Sequence, residues 1–130
     1  SRHSEMARIM ELQDIDFVQF TYNVEDRDAE DHLLPLAADK GIAVIINRPF
    51  KRGTLTNRFE GKPLPAWASE YGITSWAQYL LKFVVSHPAV TCAIPATSKV
   101  EHMKKNMNVL QTHLPDIKDR QRMLDYVQSH

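Results

Sequence analysis

Hydrophobic residues along the chain form three short runs, at residues 17–22, 42–46 and 89–94. The first run is aromatic and β-branched and has the length of a strand, and the second is continuously apolar. Strands that are apolar on both faces are typical of a parallel sheet covered by helices. The pattern therefore predicts three parallel strands, each buried on both faces.

Segments with apolar residues at helical spacing lie before, between and after these runs, at residues 4–12, 28–40, 65–71, 74–86 and 115–128. Pro35 lies inside the second segment, where it removes a backbone donor and is expected to kink the helix. Gly41 and Gly72 each follow a segment and suit the left-handed residue that ends a helix. The sequence thus predicts five helices here, and a sixth after Pro95, where apolar residues continue at helical spacing through Met103, Met107 and Leu110.

The elements follow the order helix, strand, helix, strand, loop with helix, strand, helix, which right-handed crossovers join into a parallel α/β sheet. Ile9 and Leu12 in the first helix and Ile117 in the last fall on apolar faces that are expected to pack in the core. Three parallel strands make a poor complete domain, and the first helix has no strand before it. We therefore expect further strands upstream of Ser1.

Composition and charge exclude several classes of protein. The 130 residues are 43% hydrophobic and 25% charged, as in one soluble globular domain. Sixteen basic residues balance sixteen acidic ones, which favours neither nucleic acid nor an anionic membrane as a partner. No apolar run has the length of a membrane span, and the first residues do not have the pattern of a signal peptide. Cys92 is the single cysteine, which excludes an internal disulfide, and we expect it to be buried as a small hydrophobe.

A long irregular segment, residues 47–65, follows the second strand. Ligands bind at the carboxyl ends of parallel strands, and long loops in compact domains are often functional. The alternative is a solvated surface loop whose charges keep the protein soluble, and the sequence leaves both interpretations open. The basic residues of this segment are Arg48, Lys51, Arg52, Arg58 and Lys62.

Residues 94–106 have the pattern of a strand end, a tight turn and a helix N-terminus. Pro95 stops the third apolar run, and the hydroxyl residues after it suit an N-cap. Free N–H groups and the helix dipole make such a junction a place for an anion, and Lys99 and His102 would add positive charge. The alternative is a plain connection with a solvated basic face.

The chain resembles the C-terminal half of an aldo/keto reductase in four motifs that occur in the family's order. They are DFVQFTYN at residues 16–23, LLPL at 33–36, GIAVIINRPFKRG at 41–53, and VTCAIPATS at 90–98 with its continuation to Asn106. The resemblance implies that residues 1–130 are the C-terminal part of a single TIM (β/α)8 barrel domain, which has about 250 residues when complete. About three parallel strands with their helices would be present, without the N-terminal strands.

The resemblance also implies an activity. Family members reduce aldehydes and ketones with NADPH, less often with NADH, and need no metal. A hydride passes from the nicotinamide to the carbonyl carbon while a tyrosine donates a proton to the oxygen. NADP(H) is therefore the expected cofactor, with NAD(H) as the alternative.

On the first strand, the resemblance assigns Gln19 to the nicotinamide carboxamide and Tyr22 to the ring on which the nicotinamide stacks. The alternatives for these two are a core amide and a core aromatic. After the second strand, the family's Ser-Pro-Leu, which holds the pyrophosphate, is replaced by Arg-Pro-Phe, and a guanidinium can still pair with phosphate. The residues matched in that segment are Asn47, Arg48, Pro49, Phe50, Arg52 and Gly53.

After the third strand, the resemblance places Thr97, Ser98 and Lys99 at the adenosine 2′-phosphate. His102 stands where an arginine often stacks over the adenine, and Asn106 matches the asparagine that hydrogen-bonds the adenine. The chain departs from the family at Ala96, where many members have lysine, and at Lys105, where glutamate is common.

No catalytic residue is predicted, because the family's aspartate, tyrosine, lysine and histidine belong to strands upstream of Ser1. Residues 1–130 alone are therefore expected to be inactive and to need the N-terminal half of the barrel, or a partner chain, to complete the sheet. The expected substrate is a small aldehyde or ketone, and the default compartment is the cytoplasm, with an exported protein as the alternative. Two other functions stay open: a catalytically silent regulatory subunit that binds nucleotide, and a small stand-alone α/β binding module.

Overall fold

The computed structural model describes residues 2–94 and 114–129. Two short 3-10 helices, Asp28–Glu30 and Ala66–Tyr71, lie between the regular elements. The longer elements are α1 (Arg2–Leu12), β1 (Phe17–Thr21), α2 (Leu33–Lys40), β2 (Ala43–Asn47), α3 (Thr54–Phe59), α4 (Trp76–Val85), β3 (Cys92–Ile94) and α5 (Ile117–Gln128). The predicted alternation of strands and helices is confirmed in these regions.

The three strands form one parallel sheet in the order β1-β2-β3. Thr21 of β1 pairs with Asn47 of β2, which pairs in turn with Ile94 of β3, so all three strands end at one edge. We call this edge the carboxyl edge. The loops that follow the strands start from it, which is the edge where ligands bind in parallel sheets.

One face of the sheet is covered by helices. Val18 and Phe20 of β1 and Val44 and Ile46 of β2 are buried on this face. Helix α4 is buried on almost every side and supplies most of the cover, while α2 and α5 add further apolar residues. These contacts form the core of the described part of the chain.

The other face of the sheet is open. Because side chains alternate along a strand, every second residue points to this face, and these side chains are exposed or half-buried in all three strands. The prediction that each strand is buried on both faces is therefore wrong for the described residues. The open face consists of Phe17, Gln19, Thr21, Ala43, Ile45, Asn47, Cys92 and Ile94.

Four further residues that were expected to be buried are exposed. Cys92 lies on the open face and is exposed, not buried. Ile9, Leu12 and Ile117 are exposed as well, because the described elements cover only one side of α1 and leave the first turn of α5 outside the core. No described helix combines the length and the apolar character needed to cross a bilayer.

The kink expected at Pro35 does not occur. The predicted helix over residues 28–40 is divided into a 3-10 helix and α2, which begins at Leu33. Pro35 therefore lies in the first turn of α2, where its missing N–H has no helical acceptor to lose. Gly41 has φ 69° and Gly72 has φ 71°, so both end a helix as predicted.

Candidate functional site

The loops after β1 and β2 contact each other at the carboxyl edge. Asn23, in the turn after β1, donates from its Nδ2 to the carbonyl oxygen of Arg48 at 3.1 Å. Glu25, in the same turn, pairs with Lys51 at 3.0 Å and with Arg58 at 2.8 Å. Two loops that are about 25 residues apart in sequence are thus joined at one place.

The side chain of Asn23 is fully buried and organises the turn that it belongs to. Its Oδ1 accepts the backbone N–H of Glu25 at 3.0 Å and that of Asp26 at 2.8 Å. This is the usual way in which asparagine stabilises a turn. The sequence predicts a turn at residues 23–27, which these bonds confirm, but it assigns Asn23 no role in the site.

The loop after β2 has an unusual backbone. Arg48, Lys51 and Arg52 have φ values of 52°, 51° and 57°, and Gly53 has 85°. Residues other than glycine rarely adopt this left-handed region, and those that do are concentrated at functional sites. Hydrogen bonds within the loop, from the N–H of Lys51 to the carbonyl oxygen of Arg48 and from that of Gly53 to Phe50, hold part of this conformation, and contacts from outside hold the rest. We call residues 48–53 the phosphate loop, after the role that the sequence predicts for them.

The phosphate loop leads into α3, a helix that the sequence did not predict. Gly53 stands at its N-cap position, and the helix has only six residues. Leu55 and Phe59 are buried one turn apart, and this spacing was the available signal. Phe59 also stacks on Trp76 with 4.6 Å between ring centroids, which anchors α3 to α4.

The positive charges of this region fall into two groups. Glu25 forms ion pairs with both Lys51 and Arg58, and the hydrogen bond from Lys51 holds the pKa of Glu25 below its usual value. Arg48 and Arg52 are exposed and form no ion pair with a described residue. Two guanidinium groups at the carboxyl edge thus remain available to an anion.

Polar side chains of the open face lie beside this loop. Thr21 donates from its Oγ1 to the Oδ1 of Asn47 at 2.6 Å, across the ends of β1 and β2. Gln19 is exposed two residues earlier on β1, level with Ile45 and Cys92. An amide on this face can contact a ligand that lies over the end of the sheet.

Tyr22 does not belong to this site. It is fully buried on the helix-covered face, where its ring lies 6.0 Å from the ring of Phe83 and 5.9 Å from that of His87. Its hydroxyl donates to the carboxylate of Glu30 and accepts from Nη2 of Arg120 at 2.7 Å. Burial raises the pKa of Tyr22 and lowers that of His87. With no accessible ring face, the predicted stacking of the nicotinamide on Tyr22 is wrong for this structure.

Of the other predicted site residues, two pack against the core and support the phosphate loop, and five lie in a part of the chain that the structure does not describe. Pro49 is buried and Phe50 is half-buried against the core, so their side chains fix the phosphate loop in place. The predicted positions at the 2′-phosphate and the adenine lie outside the described residues: Thr97, Ser98, Lys99, His102 and Asn106. Among the described residues, no cluster of His, Cys, Asp or Glu could hold a metal ion.

Comparisons with known proteins agree on one family. The family model described as "Aldo/keto reductase family" matches residues 1–123. A curated relative, the NADH-specific methylglyoxal reductase of Escherichia coli (strain K12), is 29% identical over 75 residues, which are 58% of this chain and 23% of that protein.

Solved structures show the same fold. An aldo/keto reductase from Klebsiella pneumoniae in complex with NADP and acetate is 25% identical with a TM-score of 0.75, covering 95% of this chain and 44% of that one. The holo form of an aldo-keto reductase from Bacillus halodurans is 19% identical with a TM-score of 0.71, covering 93% of this chain and 46% of that one. The chain therefore spans less than half the length of these relatives, and the predicted partial barrel is confirmed.

Proposed function

Because the chain belongs to the aldo/keto reductase family, we propose that it forms the cofactor-binding part of an NAD(P)H-dependent oxidoreductase that reduces aldehydes or ketones to alcohols. The observation that supports this most is the phosphate loop, whose left-handed backbone holds two exposed arginines at the carboxyl edge of the sheet. A dinucleotide carries its negative charge on the pyrophosphate, and a guanidinium can bind phosphate through two hydrogen bonds.

The residues present fit a nicotinamide dinucleotide. Arg48 and Arg52 would bind the pyrophosphate, and the amide of Gln19 on the open face would hydrogen-bond the nicotinamide carboxamide. When bound, the cofactor supplies the hydride. The apolar side chains of the open face would exclude water from that end of the site once the remaining strands cover them.

The proton donor would come from residues outside 1–130. The buried tyrosines of this chain do not fit that role, since burial raises the pKa of both Tyr22 and Tyr79 and their hydroxyls are already hydrogen-bonded. We propose that the N-terminal part of the barrel, in the same polypeptide or in a partner chain, supplies the acid. Residues 1–130 alone are then inactive.

NADPH is the proposed cofactor, with NADH as the alternative. The Klebsiella pneumoniae relatives were solved with NADP and with NADPH, whereas the Escherichia coli relative is NADH-specific. The residues proposed to distinguish the two cofactors are Thr97, Ser98, Lys99, His102 and Asn106. His102→Ala should narrow the preference for NADPH over NADH, which the ratio of the two dissociation constants measures.

The test of the proposed function is a pair of charge-removing variants in the intact protein that carries this chain. Arg52→Gln keeps an unbranched polar side chain with the same Cβ on a left-handed backbone, but it removes the charge. It should raise the KM for NADPH roughly tenfold, the loss expected for one charge-assisted contact to phosphate. Arg8→Gln is the matched control, because Arg8 is an exposed arginine on α1, away from the phosphate loop.

Equal KM values for NADPH in the two variants would contradict the assignment of the phosphate loop. A protein that binds NADPH but reduces no member of a broad aldehyde and ketone panel would instead be the catalytically silent nucleotide-binding subunit. Either result is obtained from one assay series, because binding and turnover are recorded on the same preparations.

A further inference from the structure

The phosphate loop is held by a side chain that is not part of it. Arg48 is the first left-handed residue of the loop, and its carbonyl oxygen accepts two hydrogen bonds. One comes from the N–H of Lys51 at 3.0 Å, inside the loop. The other comes from Nδ2 of Asn23 at 3.1 Å, from the turn after β1. The second bond is the one that ties the unusual backbone to the sheet.

An amide is needed to make all of these contacts. The Oδ1 of Asn23 accepts from the N–H groups of Glu25 and Asp26, while its Nδ2 donates to Arg48 and, at 3.3 Å, to the carboxylate of Asp26. Aspartate in this place would keep the acceptor but lose the donor. The asparagine is fully buried, so water cannot replace the missing bond without entering the site.

The second link between the two loops is weaker. Glu25 pairs with Lys51 and Arg58, but these side chains are 33%, 44% and 44% exposed. Ion pairs at such exposure stabilise little, because water and salt screen them. The buried Asn23 therefore contributes more than the ion pairs to the shape of the phosphate loop.

We propose that Asn23 is a positioning residue that holds the phosphate loop in its binding conformation and thereby sets how long the dinucleotide stays bound. The part that concerns the cofactor rests on the proposed function. The part that concerns the loop does not, since it follows from the contacts of Asn23 alone. Asn23 itself touches neither cofactor nor substrate in this proposal and acts through Arg48.

The first test is limited proteolysis of the Asn23→Asp variant. Trypsin can cut after Lys51 and Arg52 when the loop opens, whereas Pro49 protects the bond after Arg48. We expect cleavage in the loop to rise roughly tenfold relative to cleavage after Lys40, the reference site at the end of α2, because proteolysis follows the population of the open state. Asn57→Asp, an equal change at an exposed asparagine of α3, should leave this ratio unchanged.

The second test is the dissociation rate of NADPH, measured by stopped-flow fluorescence on the intact protein. Asn23→Asp should release NADPH roughly tenfold faster than the wild type, with an unchanged association rate. Asn57→Asp should behave as the wild type. A residue with a merely structural role would lower the melting temperature and raise cleavage at Lys40 and in the loop together, leaving their ratio constant.

The outcomes separate the two proposals. A constant cleavage ratio in Asn23→Asp overturns the positioning role, whether or not NADPH binds. A raised ratio with an unchanged dissociation rate confines the role of Asn23 to the loop and overturns its link to the cofactor. A wild-type protein that binds neither NADPH nor NADH overturns the proposed function and the cofactor link together, while the cleavage ratio still decides the conformation of the loop.

Discussion

Tyr22 and Asn23 are adjacent, fully buried and hydrogen-bonded, yet they serve different regions of the molecule. Tyr22 points to the helix-covered face and joins β1 to Arg120 of α5. Asn23 points along the carboxyl edge and joins β1 to Arg48. Burial alone therefore does not distinguish a residue that stabilises the core from one that shapes a site. The two are distinguished by their hydrogen-bond partners, which belong to a core helix for Tyr22 and to the phosphate loop for Asn23.

Mutations in these two regions should therefore affect different properties of the protein. Changes on the helix-covered face should lower stability and leave cofactor binding per folded molecule unchanged. Changes at the carboxyl edge should alter the phosphate loop more than the core, so that cleavage in the loop rises relative to cleavage after Lys40.

The largest expected effect is Leu80→Ala in α4, on the helix-covered side. Leu80 is fully buried, and removing its side chain leaves a cavity, so the free energy of unfolding should fall by about 3 kcal/mol. Urea unfolding followed by circular dichroism measures this change. The matched control is Leu12→Ala, which should change stability by less than about 0.5 kcal/mol because Leu12 is 75% exposed. Equal losses of stability in the two variants would contradict the difference in burial between Leu12 and Leu80.

A smaller loss of stability is expected for Arg120→Met. Its guanidinium contacts Tyr22, Glu30, Ser86 and the carbonyl oxygen of Phe83, all on the helix-covered side. Removing it takes one partner from each of these groups, although Tyr22 still donates to Glu30 and Ser86 to the carbonyl oxygen of Phe83. The loss should be about 2 kcal/mol, at the low end for a buried charge because Glu30 is 32% exposed.

The control for Arg120→Met uses a neighbouring arginine of the same helix. Arg122 is 45% exposed and pairs with Asp119, so Arg122→Met should cost less than about 1 kcal/mol. The ratio of trypsin cleavage in the phosphate loop to cleavage after Lys40 should be the same in both variants. If this cleavage ratio rises in Arg120→Met, a change on the helix-covered face affects the phosphate loop, and the two regions are not independent.

The smallest expected effect is Glu25→Gln, at the carboxyl edge. It removes both ion pairs to the loop and should raise the cleavage ratio only roughly twofold, because the pairs are exposed. The folded pKa of Glu25 lies below its unfolded value, so its contribution is present above the unfolded pKa and is lost as pH falls through the folded one. Amide hydrogen exchange in the phosphate loop, which can be followed in acid where trypsin is inactive, should therefore become equal in the wild type and Glu25→Gln as the pH falls. A difference that persists in acid would contradict the stabilisation by ion pairs.

Local signals in the sequence predicted most of the fold. The apolar runs located the strands, and Gly41 and Gly72 marked helix ends through a conformation that glycine adopts at no steric cost. Pro35 was misjudged, because its effect depends on where a helix begins, and that boundary is set by packing of Leu33 and Leu34 in the core. The type of each element, strand or helix, can therefore be predicted from the local sequence, whereas the residues at which a helix begins and ends depend on tertiary contacts.

The candidate site was predicted less completely. Gln19 and Tyr22 are three residues apart in the segment predicted as the first strand, and alternation along an extended chain places such residues on opposite faces. That spacing already argued against one cofactor contacting both side chains. The hydrogen bond between Asn23 and Arg48 joins residues 25 positions apart, and no local pattern in the sequence indicates such a pair. Cys92 could not be judged from its apolar neighbours alone, because its exposure depends on what covers the open face.

The most direct test of the central claim is a fluorescence titration of the intact protein with NADPH and with NADH. We expect saturable binding of at least one of the two nucleotides, with a dissociation constant between about 1 μM and 1 mM, the usual range for enzyme ligands. We also expect that Arg52→Gln weakens this binding while Arg8→Gln does not. Absence of saturation by either nucleotide at about 1 mM would contradict the claim that this chain is the cofactor-binding part of an oxidoreductase.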